Sequence, residues 1–194
     1  IYDGTTSADA AQFRATLAGV VNGEENSVSA TAAGAAYNDK NVARANTVHY
    51  TGVALTGTGT ANYTIAGTAE GAGRITPKQL NLALTSGARF DKTYDGTANV
   101  TQSLTKDRNY TLTNFVNGEG ADIALAPVTG TYADKNAGTG KAVTFAGLTL
   151  AGEGAANYVL AATTLSATGD IAKRALTMEK TAGTHFTKVY DGNT

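Results

Sequence analysis

Imidazole is the side chain to look for first when acid–base work near neutral pH is in question, and the chain has two histidines, His49 and His185. His49 lies in the alternating stretch Thr47-Val48-His49-Tyr50-Thr51. Its counterpart in the second half, Ala142-Val143-Thr144-Phe145-Ala146, has threonine at that place. An active site shared by two copies cannot depend on a residue that one copy lacks, so His49 reads as a solvated strand residue. His185 lies just before the third Tyr-Asp-Gly of the chain. Paired carboxylates for glycoside hydrolysis could be drawn from Asp3, Glu24 and Asp39. All three fall in turn sequences, where an Asp side chain already has a structural role, accepting hydrogen bonds from backbone amides of its own turn. Hydrolase chemistry is set aside on that ground.

Asp39 with Asn41, and Asp134 with Asn136, offer oxygen ligands to calcium. An EF-hand loop needs further acids and a terminal Glu, and here a lysine, Lys40 or Lys135, sits between the two ligands. No metal is expected. Gly138-Thr139-Gly140-Lys141 has the end of a phosphate loop without its start: the first glycine position is Lys135, and Ala142 follows where Ser or Thr is needed. The chain has no cysteine, which removes thiol catalysis, disulfides and Cys-ligated zinc together. No catalytic residue and no cofactor is expected. Asn62, Asn99 and Asn109 open Asn-x-Thr sequons, a pattern that a threonine-rich chain produces by chance and that is retained as a glycosylation hypothesis. No lysine stands out as buried, so no Lys–Asn isopeptide link is expected.

The elements that would carry any site must be built from a composition rich in Gly, Ala, Thr and Val, with nine Tyr, no Trp and two Pro. Threonine and valine favour strands, and 23 glycines supply turns. Lys and Arg number 15 against 16 Asp and Glu, with no basic stripe, so neither nucleic acid nor an anionic membrane is an expected partner. The apolar runs are short and broken, and none could span a bilayer. The first residue is Ile, without a charged and then apolar leader, which reads as a fragment or processed product.

Internal repetition is the strongest signal. Tyr2-Asp3-Gly4-Thr5 returns as Tyr94-Asp95-Gly96-Thr97 and again as Tyr190-Asp191-Gly192, at spacings of 92 and 96. Val21-Asn22-Gly23-Glu24 matches Val116-Asn117-Gly118-Glu119 at 95, as Tyr37-Asn38-Asp39-Lys40-Asn41 matches Tyr132-Ala133-Asp134-Lys135-Asn136. Ala61-Asn62-Tyr63 matches Ala156-Asn157-Tyr158 at the same offset, and Ile75 and Leu80 match Ile171 and Leu176 at 96. One length change of three residues in an early loop accounts for the drift. A period near 95 suits an independently folding domain, which buries roughly two-thirds of its unfolded surface. The boundaries expected are 1–76 for a first module short of its N-terminal strand, 77–172 for a second, and 173–194 for the start of a third. Tyrosines reused at fixed places (2, 94 and 190; 37 and 132; 63 and 158) read as packing anchors rather than ligand contacts. The expected structural anchors are therefore Tyr2, Asp3, Gly4, Tyr37, Asp39, Asn41, Tyr63, Tyr94, Asp95, Gly96, Tyr132, Asp134, Asn136 and Tyr158.

Alternation predicts strands over 47–51 and 142–146, with Val48 and Tyr50 inward and His49 outward. Tyr63-Thr64-Ile65 and Tyr158-Val159-Leu160 are expected to open another strand, and Leu80, Leu82 and Leu84 a further one, echoed by Leu176 and Met178. Ser7 could cap a helix over 8–17, with Phe13 and Leu17 on one face, whereas the equivalent 100–112 reads as strand. Gly59-Thr60-Ala61-Asn62-Tyr63 and Gly154-Ala155-Ala156-Asn157-Tyr158 place a Tyr at a strand start, where immunoglobulin-like sandwiches have a tyrosine bonded back to nearby backbone. The expected fold class is all-β, with tandem end-to-end β-sandwich modules, immunoglobulin-like or, as the alternative, β-grasp-like.

Lys92-Thr93-Tyr94-Asp95-Gly96-Thr97 and Lys188-Val189-Tyr190-Asp191-Gly192 resemble the signature of YDG-type repeats. So do Tyr132-Ala133-Asp134-Lys135-Asn136-Ala137-Gly138, Gly154-Ala155-Ala156-Asn157-Tyr158 and Ile75-Thr76-Pro77-Lys78-Gln79-Leu80. Such repeats occur in large filamentous-haemagglutinin-like adhesins, many exported by two-partner secretion in Gram-negative bacteria. The resemblance covers essentially the whole chain. It implies a secreted, surface-displayed location and a stalk or adhesive role, with no catalytic residues to carry over. The first module departs from the pattern at Val42-Ala43-Arg44, against Ala137-Gly138-Thr139, which bears on the shape of one hairpin.

The function expected is a non-catalytic stalk region of an adhesin on the bacterial cell surface, contributing to adhesion and biofilm formation. Its partners are then neighbouring modules of the same protein. The alternative is a module that itself binds a glycan, a host protein or biofilm matrix, for which the residues unique to one copy, His49, Tyr110 and Arg44, are the candidates. The lead-in stretch before Tyr94 has its echo in 173–194, and an unfilled edge in the first module would then favour head-to-tail self-association.

Overall fold

Short β-branched and small-residue stretches punctuated by glycine turns give short strands. A computed structural model of the chain, which describes residues 1–183, 185 and 187–193, has no α-helix among them. The protein is all-β and β-sandwich-like. The first half carries β1 (Ser29–Thr31), β2 (Gly34–Tyr37), β3 (Thr47–Thr51), β4 (Ala54–Thr56) and β5 (Thr68–Ala72). The second half carries β6 (Lys78–Leu84), β7 (Lys92–Thr93), β8 (Tyr110–Thr113), β9 (Ala124–Leu125), β10 (Thr131–Tyr132), β11 (Gly138–Ala146), β12 (Leu150–Ala151), β13 (Tyr158–Leu160) and β14 (Thr164–Ala172).

The sequence repeat is a repeat of register. In the first unit β2, β3 and β5 form an antiparallel sheet, with Tyr37 opposite Val48 and Tyr50 opposite Ala69. In the second, β10, β11 and β14 do the same, with Tyr132 opposite Val143 and Phe145 opposite Leu165. The small pairs β1–β4 and β9–β12 also correspond, Ala30 facing Leu55 and Leu125 facing Leu150. A shift of register on β11 between Gly138 and Lys141 lengthens that hairpin. The first unit instead closes a turn at Asn41, whose carbonyl accepts from the Arg44 and Ala45 amides, so the Val42-Ala43-Arg44 departure does change the hairpin.

One sheet has no counterpart in the first unit. β6 lies between β13, which it pairs in parallel, and β8, which it pairs antiparallel. The lead-in strand thus belongs to the unit that follows it. The expected strand at Tyr63-Thr64-Ile65 is absent: with no residue to play β6, the segment has no ladder partner and its amides stay outside any sheet. The expected helix over 8–17 is absent too. Asp9, not Ser7, supplies the cap, accepting from the Ala11 amide, and the turn ends after Ala10–Gln12. Ser7 is held in a bridge to Ala36, and Phe13 turns inward against Tyr50 with ring centres 4.8 Å apart. Tertiary packing outweighs a modest helical preference there.

The buried apolar residues gather in two clusters. One fills the second unit around Phe90, Tyr110, Val143, Phe145 and Ile171. Gly169 is obligatory there, since a Cβ on it would stand 1.7 Å from the Phe90 carbonyl oxygen. The other cluster crosses between the units and contains Tyr2, Ala45, Ile75, Leu80, Ile123 and Tyr158. Of the 173–194 segment, Thr184, Phe186 and Thr194 lie outside the described residues. Leu176 and Met178 form no strand and are 90 % and 100 % exposed.

Candidate functional site

The densest polar arrangement lies where the second cluster joins the two units. It starts from the turn that holds Tyr2. Asp3 Oδ1 accepts from the Thr5 amide at 2.8 Å and the Thr5 hydroxyl at 2.9 Å, which fixes the turn. Gly4 has φ +83°, and a Cβ on it would come within 2.9 Å of Val116 Cγ1. Glycine therefore serves both the backbone and the approach of the next unit. Tyr2, 2 % exposed, meets Tyr158 edge-on at 5.4 Å, a favourable aromatic geometry. Its hydroxyl donates to Glu119 Oε1 at 2.6 Å, and the Tyr158 hydroxyl donates to Glu119 Oε2 at 2.5 Å. The Val116 amide donates in turn to the Tyr158 hydroxyl at 3.2 Å. That bond spans 42 residues, so Tyr158 is not the locally bonded corner tyrosine of an immunoglobulin domain.

Asn157 supplies the second bridge. It is 4 % exposed, donates to Asn41 Oδ1 at 2.9 Å and accepts from the Val42 amide at 2.9 Å. Asn41 is itself held by Asp39 Oδ1, which accepts from its amide and its side chain at 2.7 and 2.9 Å. Burial pushes the Tyr158 hydroxyl up to about 12, and the bond to Glu119 acts in the same direction. Tyr2 is raised for the same two reasons. Burial alone would raise Glu119, but the two tyrosine hydroxyls outweigh it and its carboxyl lies below the usual range. The charged carboxylate between two neutral hydroxyls is thus the resting state at neutral pH. Beside it opens a cleft of about 350 Å³, lined among others by Tyr2, Lys40, Asn41, Glu119, Asp122 and Glu153.

The Asp turn recurs with variations. Asp95 Oδ1 accepts from the Thr97 amide and hydroxyl, both at 2.9 Å, and from Lys92 Nζ at 2.8 Å. The Lys92 side chain is 3 % exposed and also donates to the carbonyls of Thr97 and Asn99. The Lys92 ammonium leads in holding the Asp95 carboxyl down at about 2, with the Thr97 bonds adding to it. Asp191 Oδ1 accepts from the Asn193 amide at 3.0 Å, with Lys188 Nζ at 2.9 Å. The YDG domain profile matches residues 1–70 and, a second time, 76–165.

The chain belongs to the YDG-domain family.

Neither among curated proteins nor among solved structures does the chain find a significant match. Within the two YDG domains the anchors fall into two sets. Tyr2, Asp3, Gly4, Asp39, Asn41 and Tyr158 converge on the junction. Tyr94, Asp95, Gly96, Asp134 and Asn136 occupy the corresponding face of the second domain, where no further domain covers them. Asp134 Oδ1 accepts from the Asn136 amide at 2.8 Å and Lys141 Nζ at 2.7 Å. Tyr63 is half-buried; its hydroxyl donates to Glu24 Oε2 at 2.6 Å and accepts from the Val21 amide at 3.1 Å, repeating the Tyr158 pattern. Tyr37 donates to the Arg74 carbonyl at 3.4 Å, and the buried Tyr132 to the Phe90 carbonyl.

Three expectations need correction. Tyr110, a candidate surface residue, is 1 % exposed and accepts from the Leu125 amide at 2.8 Å, so it is core. Asn109 is buried with its side-chain oxygen on the Thr105 amide, which closes it to glycosylation. A lysine is buried after all, Lys92. Lysine two residues before both Tyr94 and Tyr190 was the available signal. Arg44 and His49 are exposed, His49 Nδ1 lying 2.9 Å from Glu70 Oε1. Glu119 and Asn157 were missed as site residues although both stand in repeated motifs, because sequence matching cannot say which repeated residue faces a neighbouring domain. Among the described residues no three His, Asp or Glu side chains converge on a metal position.

Proposed function

We propose that the chain is a non-catalytic stalk segment of a bacterial surface adhesin, with YDG domains in series projecting a binding region from the cell and contributing to adhesion and biofilm formation. One observation carries the reading. The two domains are locked to each other by a buried side-chain network, Tyr2 and Tyr158 on Glu119 and Asn41 on Asn157. Such a lock has no use in a domain that works alone; in a series it fixes the angle between neighbours and stiffens the whole. Pro77, immediately before β6, limits the backbone at the same point. The similarity to filamentous-haemagglutinin-like repeats supports export by two-partner secretion and display at the outer surface.

A second reading, direct binding of a glycan or host protein, is favoured by the cleft beside Glu119, with Lys40, Asp122 and Glu153 on its wall. One experiment separates the two. The pair of domains is replaced, within its parent surface protein, by an unrelated rigid spacer of equal length. Retained adhesion supports the stalk; loss of adhesion with display intact overturns it in favour of binding by the domains themselves.

A further inference from the structure

The first YDG domain has both walls of a strand position and nothing between them. In the second domain β6 fills that position, with Leu80 at 0 % exposure between β13 and β8. By the repeat offset, β13 corresponds to 63–65 and β8 to 15–18, and neither segment is in a sheet. The turn after the second wall is already formed as in the complete domain: Gly19 has φ +84° and Asn114, its counterpart, +78°. A slot of about 100 Å³ lies there, lined by Leu17, Val20, Val28, Leu55, Tyr63 and Ile65, together with Ala18 and Thr64. Ile65 is 39 % exposed, whereas its counterpart Leu160 is 9 % exposed.

The strand that fits this slot is present at the other end of the same chain. Residues 174–180 correspond to Lys78–Leu84, and Leu176 and Met178 stand where Leu80 and Leu82 stand, fully in solvent. Lys180 replaces Leu84 at the end of the strand, where a long side chain can reach water.

We infer that residues 174–180 of one copy of this chain insert into the first domain of a second copy, and that the faces beside them lock as the domains within one chain do. The surrounding surface carries the same complementarity. Tyr94 is the counterpart of Tyr2, and among the described residues its hydroxyl has no hydrogen-bond partner. Glu24 is the counterpart of Glu119; Oε2 takes Tyr63, as Glu119 Oε2 takes Tyr158, and Oε1 stands where Glu119 takes Tyr2. Asn136 and Asn62 are exposed, in the places of Asn41 and the buried Asn157. Gly96 faces open space where Gly4 faces Val116, and Val21, the counterpart of Val116, is 61 % exposed. Transposing the ladders of β6 puts Tyr63 opposite Arg174 and Ile65 opposite Leu176 in parallel, and Thr16 opposite Glu179 and Leu17 opposite Met178 antiparallel. Exchange stops before Tyr190-Asp191-Gly192, because Tyr2-Asp3-Gly4 of the acceptor already holds that place. Pairing a strand to a free edge satisfies backbone groups on both sides. The contact joins unlike faces, so it propagates into an open polymer rather than closing a pair.

The absence of cysteine makes the test direct. Thr16→Cys and Glu179→Cys are introduced together, and the full chain is oxidised over a range of concentrations. The expected result is a concentration-dependent ladder of covalent multimers, since facing strand positions can meet disulfide geometry. Mixing the two single variants is expected to stop at dimers. Sedimentation of the unmodified chain is expected to show mass growing with concentration, a growth lost in Leu176→Asp/Met178→Asp, which leaves both folded domains untouched. A chain that stays monomeric at every concentration overturns the inference. So does a cross-link formed only within one molecule, which would mean that the tail folds onto its own first domain.

Discussion

At the scale of single residues, the junction is a charged carboxylate shared by two phenols, and its dependence on pH follows from that. Tyr158 is held near 12, above its ordinary 10.0, and Tyr2 is raised as well. A group that keeps its proton more tightly when folded stabilises the fold below its unfolded pKa, and this stabilisation fades as pH rises from about 10 through about 12. Asp95 has the opposite sign. It is held at about 2 against 3.8, so its contribution is present above about pH 4 and is lost as pH falls towards about 2. Thermal melts followed by circular dichroism are therefore expected to give a plateau between these limits, with Asp95→Asn flattening the acid side and Tyr2→Phe the alkaline side. Truncation tests the packing rather than the charge. Tyr158→Ala removes a ring 5 % exposed and bonded at its tip, and is expected to lower unfolding free energy by about 3–5 kcal/mol in denaturant titration.

At the scale of elements, the second domain owes its cohesion to β6, which arrives from outside the repeat motif of Tyr94. Leu80→Ala is expected to cost about 2–5 kcal/mol, read as a lower denaturation midpoint. Residues 77–173, which keep β6 with β13 and β8, are expected to unfold in one cooperative step when expressed alone. Sheet registers were legible in advance because alternation fixes which side of a strand faces the core: Val48 is buried and His49 exposed as the pattern 47–51 requires. Strand pairing at 63–65 was not legible. Tyr63-Thr64-Ile65 has the same local pattern as Tyr158-Val159-Leu160, and only the presence of a partner strand decides between coil and sheet. The 8–17 helix failed for the related reason that Phe13 has a better place against Tyr50 than on a solvated helix. At the junction, the repeated Asn and Glu were visible as repeats, but that Asn157 is buried while Asn62 is exposed depends on what stands next to each.

At the scale of the whole molecule, the two domains differ in completeness though not in design, and the difference predicts how they respond separately. In the paired chain, breaking the junction by Glu119→Ala is expected to leave the second domain folded while widening the distribution of angles between the domains. Small-angle scattering would record this as a larger spread of overall dimensions at an unchanged melting profile of residues 77–173. A last consequence comes from the parallel pairs β6–β13 and β7–β14. Suppose the chain is pulled from both ends, as in a tether between a cell and its target. β6 and β7 are drawn from their N-terminal side, and β14, which continues from β13 through a three-residue connection, is drawn from its C-terminal side. Parallel strands drawn in opposite senses slide along each other, so the rungs of each ladder bear the tension together and must rupture together; an antiparallel hairpin pulled at its open end unzips one rung at a time. The second domain is built to resist extension along the chain, and under pulling it should yield at high force in a single event set by its unfolding rate, while the first domain, lacking the strand that would carry this shear, gives way earlier.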